Sequence, residues 1–447
     1  MQTVIKKKRK GLRPMQVIML GMLGLIFAGS LVLWLPFCRT GDMTYIDALF
    51  TSASAVCLTG LTTVKIAQSF NVVGQIVVLL LIQVGGLGIM TFATLLLMLL
   101  RKKFTLKDRL VMQEALGSEQ NKGVVRLTRD IARFTFAVEG CGFLLLLIPF
   151  IKAAGAKGAY FALFTAVSAF CNAGMTLFGN SLTDYGANPF VVLPIALLII
   201  LGGLGFVVAA DMGRYRFSVK KYHLHSKIAL AATAALLFFG TVVFYLCERN
   251  NPDTLGGANF GYTLMNAFFE AVTLRTAGFQ TLNQSALTAP SKLFSFILMF
   301  IGGSPGSAAG GIKTTTVAVL LLMLMAGLRR KSEIVVFKRE VSHKTCVKAA
   351  ATLMAGLLIV SLAAFLLLVI QHPSEFDTEA VVFEAVSAFS TVGVSEGITP
   401  LLTTGGKVIV IFAMFFGKTG AITVGSIMFS GGGSEAVRYP EGNVSVG

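Results

Sequence analysis

Four times along this chain a short apolar stretch, rich in small residues, runs into a glycine and stops. The first spans Ile46 to Thr63, IDALFTSASAVCLTGLTT. As a helix its dozen apolar positions reach roughly 18 Å, too short for a hydrocarbon core of about 30 Å. The sequence on either side is long and apolar enough to cross. A helix that enters a membrane and stops at a glycine leaves unpaired carbonyls at membrane depth, which are tolerated only where they line a water- or ion-filled cavity.

Composition supplies the membrane. Mean hydropathy is +0.78, 55% of the residues are hydrophobic and only 13% are charged, against about a quarter charged in a soluble domain. The Lys+Arg excess, 38 against 21 acids, sits mostly between apolar runs and is no nucleic-acid footprint. The six cysteines, Cys38, Cys57, Cys141, Cys171, Cys247 and Cys346, include no C-x-x-C pair, so neither a zinc site nor a disulfide framework is indicated. The basic start, Lys6 to Lys10, precedes an apolar run from Met15 to Phe37. That run has the length of a retained span and exceeds a signal-peptide core.

Hydropathy predicts eight spans, near 15–37, 72–100, 131–151, 190–213, 228–247, 293–327, 347–370 and 408–430. Four shorter segments, 46–58, 160–171, 262–274 and 379–390, follow the odd-numbered spans, and each leads into a glycine. The expected fold is an all-α membrane protein of four pseudo-symmetric repeats around one central pore. Each repeat reads helix, re-entrant pore helix, filter loop, helix. The repeats divide at 1–100, 101–217, 218–330 and 331–430, with a cytoplasmic tail at 431–447.

Aligning the four glycines exposes the repeat. Gly60, Gly174, Gly278 and Gly393 follow Leu58-Thr59, Asn172-Ala173, Thr276-Ala277 and Thr391-Val392. Ten residues upstream stand Phe50, Phe164, Phe268 and Phe383. Six upstream stand Ser54, Ser168 and Ser387, with Val272 the exception, and Cys57 and Cys171 share one position. A second glycine cluster follows within a span of each repeat, at Gly85-Gly86-Leu87-Gly88, Gly202-Gly203-Leu204-Gly205, Gly302 to Gly306 and Gly417 to Gly420.

Loop charge predicts orientation. The N-terminus and segments 101–133, 214–227 and 329–348 carry 6, 9, 5 and 7 Lys+Arg, which is 27 of the 38. The other connections are short and hold acids such as Asp42, Glu248, Asp253, Glu375 and Asp377. By the positive-inside rule both termini are cytoplasmic and the pore helices enter from outside. Contact with anionic lipid accounts for much of this basic surface.

Four re-entrant helices about one axis aim the negative ends of their dipoles at a common point, which attracts a cation. Glycine then lets the returning chain direct carbonyl oxygens inward and leaves no side chain in the path. A ring of such carbonyls can replace a cation's hydration shell. The expected filter is therefore Leu58, Thr59 and Gly60, with Asn172, Ala173 and Gly174, Thr276, Ala277 and Gly278, and Thr391, Val392 and Gly393. On these grounds alone the ion is a monovalent cation.

With these segments in view, the chain resembles the Trk/Ktr/HKT superfamily of potassium transporters along its full length, most closely the membrane subunit of bacterial Ktr systems. The resemblance rests on the four filters together with VTLRTAGF (Val272–Phe279), SAFCNAG (Ser168–Gly174), LIQVGGLGIMTF (Leu81–Phe92) and RYPEGNV (Arg438–Val444). A glycine in all four filters goes with potassium selectivity in that family, so the resemblance implies K+ at the filter carbonyls. It also implies a homodimer in the plasma membrane, regulation by a separate cytosolic nucleotide-binding ring, and a role for Na+ as activator.

The stretch Gly302, Gly303, Ser304, Pro305, Gly306, Ser307, Ala308, Ala309, Gly310, Gly311, Ile312 and Lys313 interrupts the sixth predicted span. Proline and repeated glycine oppose helix there, and the resemblance implies an intramembrane gating loop over 302–316. Its G-x-S-x-G at Gly302–Gly306 lacks the histidine base a nucleophile elbow needs. The histidines, His223, His225, His343 and His372, all lie outside the predicted spans. GSAAGGIKT, Gly306 to Thr314, fails as a phosphate loop because Ile312 separates glycine from lysine. The chain therefore has no nucleotide site of its own and no enzymatic constellation.

Charges inside spans are functional candidates. Lys418 stands where the family usually has arginine, and either limits cation throughput, holds the gating loop or is simply paired with a nearby carbonyl. Glu270, Arg275 and Glu384 are expected to form a structural ion-pair set behind the filter. A sodium- or proton-coupled secondary transporter is the alternative reading and calls for carboxylates at the midplane. Glu139 is the only clear carboxylate well inside a predicted span, which weakens that reading.

Overall fold

The computed structural model describes residues 14–88, 91–92, 124–216, 218–331, 333–371 and 376–420. The basic run Lys6–Lys10, most of the loop 101–133, His372, the end of the span 408–430 and the tail with RYPEGNV lie outside the described residues. Besides one two-stranded antiparallel hairpin, Val335–Val336 with Arg339–Glu340, the regular structure is helical.

Each repeat contains an outer helix, a short helix and an inner helix. The outer helices, Pro14–Trp34, Val124–Ala154, Leu224–Glu248 and His343–Ile370, are long and apolar enough to cross a membrane. The short helices, Tyr45–Cys57, Lys157–Phe170, Phe260–Thr273 and Thr378–Ser390, have 13 or 14 residues. The inner helices are Val72–Leu87, Pro189–Gly203, Ala289–Phe300 and Thr404–Thr419. Three of them start at a polar cap that accepts a free amide, Asn71 from Gly74, Asn188 from Phe190 and Thr403 from Gly406.

The inner helices depart from the predicted continuous spans. Each ends at its second glycine cluster; Gly88 (φ 79°) and Gly420 (φ 84°) cap two of them, and Gly205 (φ 91°) follows the Leu204 cap of a third as the N-cap of the next helix. Such angles cannot continue a right-handed helix. Pro189–Gly203 and Phe206–Tyr215 are bent by 98° across Leu204-Gly205. The predicted span 293–327 is likewise two helices, Ala289–Phe300 and Thr314–Leu328, separated by Ile301–Lys313. The interruption of the third repeat is thus an enlarged version of a break that the second also has.

The same clusters explain close packing. A Cβ on Gly85, Gly202 or Gly417 would overlap the carbonyl oxygen of Val56, Phe170 or Phe389, four residues before Gly60, Gly174 and Gly393 respectively. Small residues let backbones approach where helices pack in a membrane. Each inner helix then packs against the short helix of the next repeat. Val72–Leu87 meets Lys157–Phe170, Pro189–Gly203 meets Phe260–Thr273, and Ala289–Phe300 meets Thr378–Ser390. Thr404–Thr419 returns to Tyr45–Cys57, so the ring closes in chain order. Phe50, Phe164 and Phe383 are buried at their shared position, whereas Phe268 is only partly covered.

Candidate functional site

The four glycine turns are built alike. The residue two before each glycine is left-handed: Leu58 (φ 59°), Asn172 (φ 55°), Thr276 (φ 67°) and Thr391 (φ 53°). Each glycine also has positive φ, 95° at Gly60, 64° at Gly174, 80° at Gly278 and 90° at Gly393. Left-handed residues close helices by sending amides back to the last turn. Thr59, Ala173 and Val392 donate to the carbonyls of Ser54, Ser168 and Ser387 at 2.8–2.9 Å, and Ala277 donates to Thr273 at 2.9 Å. Side chains other than glycine or asparagine resist this conformation, so it persists only where its surroundings enforce it.

Hydroxyls supply part of that enforcement. Ser54 and Ser387 accept from the amides of Gly60 and Gly393 at 3.0 and 3.1 Å. Ser168 donates to the carbonyl of Met175 at 2.7 Å. In the third repeat, where Val272 stands in place of serine, the next residue takes over, and Thr273 donates to Phe279 at 2.6 Å. The repeat that looked exceptional in sequence has the same brace one position along.

The turns meet one another. A Cβ on Gly60 would stand 2.7 Å from the carbonyl oxygen of Ala173, on Gly174 2.7 Å from that of Ala277, and on Gly278 2.5 Å from that of Val392. On Gly393 it would overlap the carbonyl of Thr59. Four glycines from four repeats therefore pack in chain order, and a side chain at any of them would force the facing backbone to shift. All four line one cavity of about 280 Å³, together with Thr62, Lys65, Met175, Gln280, Ser395 and Thr399. The hydroxyls of Thr59, Thr276 and Thr391 are buried with no hydrogen-bond partner among the described residues, which purely structural packing rarely permits.

Ile301–Lys313 crosses from the second repeat to the fourth. Ser304 donates its amide to the Gly203 carbonyl at 3.0 Å, and Phe206 donates to Gly306 at 2.9 Å. Gly302 closes the loop's base by donating its amide N–H to the Ile312 carbonyl at 2.8 Å. A Cβ on Gly310 would overlap the Thr391 side chain, and one on Gly302 would come within 3.2 Å of Thr276. Two lysines hold the middle. Lys313 donates to the Ala309 carbonyl at 2.5 Å, and Lys418 donates to the Ala308 carbonyl. The loop thus lies directly against the left-handed residues of the third and fourth turns.

The expected ion-pair set behind the filter is not formed. Glu270 accepts from Gln284 at 3.0 Å, and Glu384 accepts from Ser395 at 2.7 Å and Thr399 at 2.5 Å. Arg275 reaches the hydroxyl of Thr233 at 3.3 Å. Five positions apart, Glu270 and Arg275 do not share a helix face, and each acid is held by polar residues of its own repeat. Glu139 accepts from Gln83 at 3.1 Å and from the Cys171 thiol at 3.8 Å.

Ion pairs do occur between repeats, at residues the sequence did not single out. Lys407 meets Asp47 at 2.7 Å and Lys292 meets Glu396 at 3.1 Å. Both lysines occupy the fourth position of an inner helix, a regularity that aligning the second spans would have exposed. The left-handed residues left only Asn172 as a signal, because leucine and threonine do not announce that conformation.

Fold and site together define a four-repeat helical membrane protein with a constriction of glycines and backbone carbonyls at the centre of the ring. A family model described as a cation transport protein, TrkH, matches residues 14–430, and the chain belongs to that family. It is 40% identical to the potassium/sodium uptake protein NtpJ of Enterococcus hirae, over 100% of both chains. It is also 40% identical to the Ktr system potassium uptake protein B of Bacillus subtilis, over 97% of each. Its fold is similar to that of the potassium transporter TrkH from Vibrio parahaemolyticus. The TM-score is 0.76 and the identity 17%, over 95% of this chain and 86% of the other.

Proposed function

We propose that this chain is the potassium-conducting membrane subunit of a Ktr/Trk-type uptake system. Potassium passes through the ring of Gly60, Gly174, Gly278 and Gly393, and Ile301–Lys313 gates the passage. The observation that carries this reading is the mutual contact of the four glycines at the floor of one cavity. Adjacent carbonyls can replace waters of hydration, and the C-terminal ends of the short helices favour a cation there. Potassium as the ion is supported by the names of the relatives, and the Enterococcus name adds sodium.

In the same reading both termini are cytoplasmic, the cavity above the glycines opens outside, and the chain works as a homodimer under a separate nucleotide-binding ring. Sodium acts as activator, and no nucleotide binds this chain. Coupled transport would need Glu139 to exchange protons or ions with the pathway. Its oxygens are instead taken up by Gln83 and Cys171, which favours the passive reading.

The test is cation flux through the purified chain in liposomes. Wild type should pass potassium in preference to sodium, and Gly60→Ser should lower that preference severalfold. An unchanged ratio in the variant would remove Gly60 from the filter and overturn this assignment.

A further inference from the structure

Lys65 shares the cavity above the ring with all four filter glycines. An ammonium group at the mouth of a cation pathway works against its cargo. The surroundings do not neutralise it. No acidic residue lines that cavity, and none of the ion pairs among the described residues involves Lys65. Three carboxylates of the short helices and the turns after them have their own partners. Glu396 pairs with Lys292, Asp47 pairs with Lys407, and Glu384 is buried under the hydroxyls of Ser395 and Thr399. Symmetry does not call for the charge either, because the positions five beyond the other filter glycines hold Gly179, Asn283 and Ile398.

Resting on the conduction reading above, we propose that Lys65 is an electrostatic screen that sets discrimination between monovalent and divalent cations at the outer mouth. The argument turns on ion charge. A fixed charge changes the local concentration of a monovalent cation by some factor, and that of a divalent cation by the square of the factor. A cavity of 280 Å³ is about 8 Å across if spherical. At about 8 Å in water of low ionic strength, a unit charge lowers a monovalent cation about twofold and a divalent one about fourfold or more; at physiological salt the factors shrink to about 1.4 and about 2. That distance is close to one Debye length at physiological salt, so the effect fades as salt rises. Lys65 gives up a little potassium at the mouth and keeps out much more of any divalent ion able to lodge on the carbonyls. Its cost falls on rate at low potassium, and its benefit is freedom from block.

The experiment is potassium uptake by cells that lack their own uptake systems and express the full-length chain, at limiting potassium and low ionic strength, with barium chloride titrated outside. Lys65→Gln should lower the apparent KM for potassium about twofold and the half-inhibiting barium concentration about fourfold. Lys65→Arg should match wild type. Both shifts should shrink as choline chloride is raised. Equal factors for potassium and barium, or a Lys65→Arg variant that behaves like Lys65→Gln, would mean a packing role and overturn the screen. Wild-type uptake with barium sensitivity unmoved by Lys65→Gln overturns the screen alone, whereas no wild-type uptake overturns the conduction reading beneath it.

Discussion

Lys407 and Asp47, 360 positions apart, meet at 2.7 Å. The contact ties the last inner helix to the first short helix, at the one seam that chain connectivity does not close. Lys292 and Glu396 tie the third repeat to the fourth in the same way. Each lysine reaches from the first turn of an inner helix to an acid of the neighbouring repeat.

Breaking the seam should loosen the ring. Lys407→Met leaves the Asp47 carboxylate, also bonded by Thr44 at 2.5 Å, in a largely buried place without its cation. Unpairing a buried charge costs about 3 kcal/mol, and less at this partly wetted edge. Thermal unfolding in lipid nanodiscs should fall by several degrees. Adding Asp47→Asn should recover part of the loss, and a double mutant that is merely additive would deny the coupling.

The second pair predicts a pH effect. Burial pushes the Glu396 carboxyl above its ordinary value, Lys292 pulls it down, and Glu379 and Asp377 add to the rise. Only between the ordinary value and the raised one does the folded chain hold a proton that the unfolded chain has already released. Stability falls as pH climbs through the window just above the ordinary glutamate range. Lys292→Met removes the downward pull, so its melting temperature should drop more steeply across that window than wild type does. Parallel curves would show that the two groups do not interact.

Much of this was legible because the physics repeats. A short apolar helix before a glycine, seen four times, revealed the architecture and the four glycines that meet at its centre, and Phe50, Phe164 and Phe383 marked one buried position. What could not be read depended on side-chain direction. Glu270, Arg275 and Glu384 sit close to the filters in sequence, yet each finds a separate polar partner. The same limit hid Thr273, whose hydroxyl makes up for Val272. The bend at Leu204-Gly205 escaped notice because its sequence, Gly202-Gly203-Leu204-Gly205, nearly matches Gly85-Gly86-Leu87-Gly88. Hydropathy registers apolar content and is blind to backbone angle.

Two glycines of the fourth repeat separate conformation from fit. Gly393 and Gly397 both have left-handed φ, 90° and 96°. A Cβ on Gly397 meets nothing within 4 Å, whereas one on Gly393 overlaps the Thr59 carbonyl. Gly397→Ala should cost about 1–2 kcal/mol of stability through backbone strain and leave ion selectivity intact. Gly393→Ala should carry the same strain and also abolish selective flux. Both are checked by melting temperature and by the potassium-to-sodium flux ratio, and a shared phenotype would mean that contact between the glycines is irrelevant.

The loop Ile301–Lys313 is held by two ammonium groups on adjacent carbonyls, Lys418 on Ala308 and Lys313 on Ala309. A hydrogen bond from a charged donor contributes about 1.5–3 kcal/mol. Losing one should therefore move a closed-to-open equilibrium by about tenfold to a hundredfold. Lys418→Met should raise potassium flux through the chain in liposomes, in the absence of any cytosolic partner. Lys418→Arg keeps a charged donor and should stay near wild type, although arginine's rigid fork makes the fit imperfect. The double variant Lys313→Met/Lys418→Met should gain less than the two single effects combined, because both lysines restrain one short segment. Deleting Ala308 to Gly310 removes both acceptor carbonyls and the glycine lying on Thr391, so it should give the highest flux of the set. If flux stays at the wild-type level in Lys418→Met, in the double variant and in the deletion, the loop is a fixed kink and control of the pore must lie elsewhere.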